Sequence, residues 1–68
     1  MIGSVTGKVG RVTGTVAPGQ VGEVVLTTDR GSDAFHAYAG ETGATLAVGT
    51  RVIVVEHYPP RTVVVAPV

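Results

Sequence analysis

The stretch from Gly49 to Val55 constrains the fold of this chain more than any other. It reads Gly-Thr-Arg-Val-Ile-Val-Val, a turn residue followed by a run of mostly β-branched side chains. Branching at Cβ restricts χ1 and suits the pleated surface of a strand. A turn glycine followed directly by such a run is typical of a loop that leads into a buried strand.

The preference for β-strands extends over the whole chain of 68 residues, which contains fifteen valines and nine threonines. This length predicts a single domain over residues 1–68, near the lower limit at which a hydrophobic core alone stabilises a fold. Cysteine is absent, so neither a disulfide nor a thiolate metal site supports the fold. The domain must therefore rely on its own apolar side chains, which make up 44% of the sequence.

Charge and hydropathy argue against several classes of partner. Five basic residues balance five acidic ones, whereas a nucleic-acid-binding or lipid-binding surface usually carries an excess of positive charge. No run of 18 or more apolar residues occurs, and residues 1–3 do not resemble a signal peptide. If the natural protein is bound to a membrane, we expect its anchor to lie outside this chain.

Turn residues divide the chain into five predicted strands. They cover residues 4–16, 21–28, 33–39, 50–57 and 62–66. In the first strand Val5 and Val9 are in phase, whereas Val12 is out of phase with them, which predicts a bulge near Gly10. A long, bent first strand and four short ones predict an all-β fold, a small five-stranded β-barrel.

Side-chain alternation separates an inner from an outer face on most strands. The predicted inner residues are Val24, Leu26, Phe35, Ala37, Ala39, Val52, Val54, Val63 and Val65, with Leu46 and Val48 closing one end of the core. Strands four and five are apolar on their other sides as well. Those sides are covered by loops or the N-terminal segment, or else they form an exposed apolar patch that binds a partner.

Several short motifs occur together in an order and spacing found in a known family. They are Gly7-Lys8-Val9-Gly10, Ala17-Pro18-Gly19, Val21-Gly22-Glu23-Val24, Phe35-His36-Ala37-Tyr38-Ala39, residues 48–56 and Val63-Val64-Val65-Ala66-Pro67. In these residues the chain resembles the C-terminal soluble domain of the NfeD family. It departs from the family at Tyr58-Pro59-Pro60-Arg61, where a tight turn such as Asp-Gly is more usual, so the geometry of the last hairpin stays open.

The resemblance implies a five-stranded OB-like barrel that is soluble but attached to membrane helices in the complete protein. It also implies partners among stomatin-, prohibitin- and flotillin-type membrane scaffold proteins. Some long family members carry a ClpP-like serine protease domain upstream, and nothing in these residues corresponds to it.

The sequence predicts neither an enzyme nor a metal or cofactor site. His36 and His57 lack the short spacing to other ligands that a zinc site shows. Asp29 and Ser32 supply parts of a catalytic triad, but a triad also requires a buried acid and an oxyanion hole. Both residues are better explained as turn residues whose side chains bond to the local backbone.

We therefore predict a non-catalytic protein-interaction domain. The candidate binding residues are an apolar centre of Ile53, Val55 and Val64 and a polar rim of Tyr38, Arg51, Glu56, His57 and Tyr58. One alternative is an OB-fold module that binds single-stranded nucleic acid, with a base stacked on Tyr38 beside Arg51 or Lys8. Another is a structural cap or oligomerisation module that forms a homo-oligomer.

Overall fold

A computed structural model describes residues 5–29, 31–40 and 45–68 of the chain. These residues form the five predicted strands. The strands are β1 (Val9–Gly14), β2 (Gly22–Thr28), β3 (Gly31–Ala39), β4 (Arg51–Tyr58) and β5 (Thr62–Pro67). The bounds of β2 to β5 agree with the sequence-based ranges to within two residues.

The strands close into a barrel in the order β1-β2-β3-β5-β4. All neighbouring pairs are antiparallel except β3 and β5, which run parallel. β1 pairs with β2 along one edge and with β4 along the other, and this second pairing closes the sheet. The predicted all-β, five-stranded barrel is confirmed.

Alternate residues of each strand point into the barrel and make its core. The buried side chains are Val5, Val12, Val16, Val24, Leu26, Phe35, Ala37, Leu46, Val52, Val54, Val63 and Val65, with Ala39 packed against them. No polar or charged side chain of the described residues is buried. Burial of a valine, leucine or phenylalanine side chain contributes about 1.5–3 kcal/mol each, so these residues supply most of the favourable free energy of folding.

The first strand is shorter than predicted. It begins at Val9, because a turn over residues 5–8 precedes it, in which the Lys8 N–H donates to the Val5 carbonyl at 3.0 Å. Gly7 in this turn has a φ of +89°, a conformation that glycine adopts readily. The turn changes the phase of the chain, so Val5 is buried while Val9 is 41% exposed on the outer face.

The predicted bulge near Gly10 is wrong in position. The register shifts between Val12 and Gly14, so Thr13 is the extra residue, and Gly10 keeps regular pairing with β2 and β4. A Cβ atom at Gly10 would lie 2.3 Å from the Val25 carbonyl oxygen and 2.5 Å from Leu26 Cδ2. Gly10 therefore allows β2 to approach β1 closely.

The connection between β3 and β4 closes one end of the core with Leu46. The Leu46 backbone exchanges two hydrogen bonds with the Val16 backbone, of 2.7 and 3.1 Å. The Leu46 side chain is buried, as predicted. The same prediction for Val48 is wrong, since its side chain is 62% exposed. Val48 lies in a turn closed by a bond from the Thr50 N–H to the Ala47 carbonyl, which directs it away from the core. Residues 41–44 of this connection, where the sequence allows a short helical turn around Ala44, lie outside the described residues.

The last hairpin joins β4 and β5, which pair antiparallel. Tyr58 is opposite Thr62, and the turn between them contains a cis peptide bond between Pro59 and Pro60. The unusual turn sequence is therefore compatible with the predicted barrel.

Candidate partner-binding surface

The outer side of β3, β5 and β4 brings most of the predicted binding residues together. β5 lies between the other two strands, so Val64 is paired with Tyr38 on one side and with Glu56 on the other. Ala66, further along β5, is paired with Ile53. We call this surface the apolar face; it consists of Tyr38, Ile53, Val55, Glu56, Tyr58, Val64 and Ala66.

A bulge in β4 determines which side chains this face presents. The register shifts between Val54 and Glu56, so Val55 has no partner of its own on β5. Val54 is buried, and the two residues after it, Val55 and Glu56, are both exposed. An extra residue in one strand changes the side on which the following side chains project. The bulge therefore places an apolar and an acidic side chain next to each other on the outer face.

A groove of about 730 Å³ runs along the apolar face. It is lined by Ala39, Gly40, Val55, Glu56, Val64, Ala66 and Pro67. Val55 is 44% exposed, whereas Val64 and Ile53 are half-buried. Glu56 is the charged member of this lining, so the groove is mostly apolar with one acidic side chain at its rim.

The polar rim has its own internal contact. The Tyr58 hydroxyl donates a hydrogen bond of 2.6 Å to Glu56 Oε1. This bond and the negative charge of Glu56 raise the pKa of Tyr58, because both favour the protonated phenol. The bond orients two exposed side chains on the outer side of β4, just after the bulge.

His57 was predicted in the rim, but the structure places it at one end of the barrel. The bulge turns Glu56 to the outer side of β4. His57, the next residue, therefore lies on the opposite side, where it is half-buried. Its ring meets the Phe35 ring edge-on, with centroids 6.1 Å apart, and its Nε2 lies 3.5 Å from the Pro60 carbonyl oxygen. His57 thus contacts the core and the last turn, not the groove.

Arg51 lies on a second outer surface, next to β1, which no local sequence pattern predicts. Arg11 on β1 is directly opposite Arg51 on β4 and directly opposite Val25 on β2. These residues line a groove of about 550 Å³ together with Val9, Gly10, Thr13 and Thr27. We call this surface the arginine face; it consists of Val9, Arg11, Thr13, Val25, Thr27 and Arg51. Only the pairing of β1 with β4 brings the two arginines together, so no local sequence pattern indicates the pair.

The nucleic-acid alternative requires Arg51 or Lys8 beside Tyr38, and the structure brings neither of them to it: Arg51 lies on β4, and the Lys8 carbonyl accepts a hydrogen bond from Val54 N–H of the same strand. β5 separates β4 from the strand of Tyr38, and the β4 residue level with Tyr38 is the acidic Glu56. Base stacking on an aromatic ring is usually combined with a basic groove along the backbone of the nucleic acid. The surface around Tyr38 does not have that combination.

Within the described ranges, no group of three or more His, Cys, Asp or Glu residues is arranged to hold a metal ion. The described part of the chain also has no helix of the length and apolarity needed to cross a membrane.

A small closed five-stranded barrel with this strand order belongs to the class of OB-like domains, and comparison with known proteins agrees. The solution structure of the soluble domain of the NfeD protein YuaF from Bacillus subtilis superposes with a TM-score of 0.77 at 28% sequence identity. The match covers 90% of this chain and 70% of that one. No curated protein matches the chain.

The family model of the NfeD C-terminal domain matches residues 9–66. The chain therefore belongs to the NfeD C-terminal domain family. This confirms both the resemblance in the short motifs and the OB-like barrel that it implies.

Proposed function

We propose that this domain is a non-catalytic protein-interaction module of a membrane-associated NfeD protein. Its partners are membrane scaffold proteins of the stomatin, prohibitin or flotillin type, and contact is made through the apolar face. The observation that carries the proposal is the group of outward aliphatic side chains Ile53, Val55 and Val64, with Glu56 turned outward beside them by the bulge in β4.

The composition of the apolar face supports this role. Protein interfaces commonly have an apolar centre, enriched in aromatic residues, within a polar rim that remains in contact with water. Here the centre is aliphatic, and the rim contains the hydrogen-bonded pair Glu56 and Tyr58 as well as the exposed Tyr38. Tyrosine is enriched among the residues that contribute most to binding, since it combines a large apolar area with a hydrogen-bonding group.

Ile53→Asp tests the proposal in the complete membrane protein, co-purified with a scaffold protein of the same organism. A carboxylate in an apolar interface has to be desolvated when the partner binds, which costs free energy. We expect at least about a tenfold loss of affinity, which corresponds to ~1.4 kcal/mol. Gln20→Asp is the matched control, because it adds the same charge at an exposed turn position away from the face.

Ile53 is half-buried, so its substitution also needs a check of folding. Val55→Asp serves as the second variant, because Val55 is exposed and lies at a bulge. Dispersed amide resonances of each variant would show that the barrel is intact. Undiminished co-purification of both folded variants would refute the apolar face as the binding surface.

A further inference from the structure

We propose that the arginine face is a second docking site, which takes an acidic side chain of a partner protein between Arg11 and Arg51. The inference rests on the interaction role proposed above and adds the chemistry of what is recognised. Arg11 and Arg51 are directly opposite each other in the pairing of β1 with β4, and both side chains are exposed.

The position of the two arginines is unfavourable without an anion. Residues directly opposite in an antiparallel pair have Cβ atoms about 4.5–5.5 Å apart, and like charges there destabilise the sheet. A carboxylate bound between two guanidinium groups would remove this repulsion. It would also form charge-assisted hydrogen bonds, which an arginine makes to both oxygens of a carboxylate.

The described carboxylates of the chain do not provide that anion. Neither guanidinium group makes an ion pair with any of them. Three of the carboxylates instead accept hydrogen bonds from hydroxyl groups: Glu23 from Thr13 at 2.8 Å, Asp33 from Thr28 at 3.2 Å and Glu56 from Tyr58 at 2.6 Å. The positive charge of the arginine face is thus available to a partner.

Arg61 shows what an arginine with a structural role looks like in the same barrel. Its Nη1 donates to the Ala34 carbonyl at 3.0 Å, and its guanidinium carbon lies 5.8 Å from the centre of the Phe35 ring. Arg11 and Arg51 have no comparable contacts within the described part of the chain. Their position is therefore not explained by packing.

The surroundings of the pair favour a protein over a membrane or a nucleic acid. Val9 and Val25 flank the arginines in the groove of about 550 Å³, so an acidic residue beside an aliphatic one would fit. Attraction to an anionic membrane usually needs about four to eight basic residues, at about 1 kcal/mol each, and a nucleic acid needs a longer basic surface. The chain as a whole has a net charge of zero.

The closed sheet sets the manner of binding. Both edges of β1 are paired, with β2 and with β4, so a partner cannot add a strand beside Arg11. Recognition must then come from side chains that reach the outer face. The arginine face therefore recognises an acidic side chain and not an extended backbone.

The test is a titration of the isotope-labelled 68-residue chain, followed by NMR at low salt, with the blocked peptide Leu-Glu-Glu-Leu. The expected result is a shift of the Arg11 and Arg51 side-chain resonances and of the Val9 and Val25 methyl groups. The peptide Leu-Gln-Gln-Leu should give no such shift. The double variant Arg11→Gln and Arg51→Gln should lower the affinity at least about tenfold. Lys8→Gln, which removes one positive charge from the turn before β1, should lower it far less.

Several results would overturn the inference. One is an equal response to the glutamine peptide. Another is a stronger response of the two arginines to inorganic phosphate, to vesicles containing phosphatidylglycerol or to a single-stranded oligonucleotide. A shift that depends on protein concentration alone would show that a second copy of the chain occupies the face.

The two proposals fail in different ways. If Ile53→Asp leaves scaffold binding intact while the acidic peptide still binds the arginines, only the proposed function fails. If Ile53→Asp abolishes scaffold binding while the acidic peptide does not bind, only the arginine site fails. Thermal unfolding of the double arginine variant adds a check, since removal of the repulsion should leave the midpoint unchanged or raise it.

Discussion

On β4, Val52 and Val54 point into the barrel and are shielded from solvent, whereas Ile53 and Val55 belong to the outer face. All four are β-branched aliphatic residues, so residue type does not distinguish core from surface here. The distinction comes from register, because alternate positions face opposite sides of a strand. It is sharpened by the bulge, which keeps Val55 and Glu56 on the same side. The inner face therefore supplies stability, and the outer face is available for recognition.

The largest effect should come from the inner face at Leu26. Leu26→Ala removes a fully buried side chain and should lower the free energy of unfolding by about 2–5 kcal/mol, measured by urea denaturation. Val25→Ala on the outer side of the same strand is the control. Val25 is half-buried, and its replacement should cost about 1 kcal/mol or less. Equal losses at the two positions would show that the inner and outer sides of β2 contribute equally to stability.

A second prediction concerns the close approach of β1 and β2 at Gly10. Gly10→Ala should lower the free energy of unfolding by about 1–3 kcal/mol, because its Cβ would lie only 2.3 Å from the Val25 carbonyl oxygen. Gly14→Ala is the control, as the nearest contact there is 3.2 Å from Glu23 Cβ.

The double variant of Gly10→Ala and Leu26→Ala separates the two clashes at position 10. The combination removes the clash with the Leu26 side chain but leaves the clash with the backbone oxygen. The double variant should therefore not recover the stability of Leu26→Ala alone. Full recovery would mean that the side chain, and not the approach of the two strands, requires glycine at position 10.

The smallest effect should appear on the outer face at Tyr58. Glu56→Ala should lower the pKa of Tyr58 toward its ordinary value, and Glu56→Gln should lower it by less, because the amide oxygen still accepts a hydrogen bond. Since folding raises this pKa, the associated stability is present below the unfolded value and is lost as the pH rises through the folded one. Ring resonances of Tyr58 followed against pH measure the change. Identical titrations of both variants would argue that the hydrogen bond contributes nothing.

The strands and their inner faces could be predicted because β-branched runs and alternation are local properties of the sequence. Val24, Leu26 and Phe35 are therefore buried as predicted. The prediction failed where a turn changed the phase of the chain, as at Gly7 and at Val48. Period-two alternation does not predict a glycine with positive φ, which changes the phase of the residues next to it.

The candidate site was less accessible to sequence reasoning, because it depends on pairing between distant strands. Nothing near Arg11 in the sequence indicates that Arg51 lies opposite it. The sequence around Val55 gives no sign of the bulge either, since the flanking residues are ordinary strand formers. Consequently His57 was predicted beside Glu56 on the surface, although the structure places it against Phe35.

The pairing that closes the barrel also has a consequence for how the domain forms. It joins β1 to β4, which lie far apart along the chain, and such contacts are made late and slowly because a long loop has to close first. Until β4 is in place, one edge of β1 exposes unpaired N–H and C=O groups to other chains. During synthesis β1 therefore stays unpaired on one edge until β4 has been made. A nascent or truncated chain is the form of this domain most prone to aggregate.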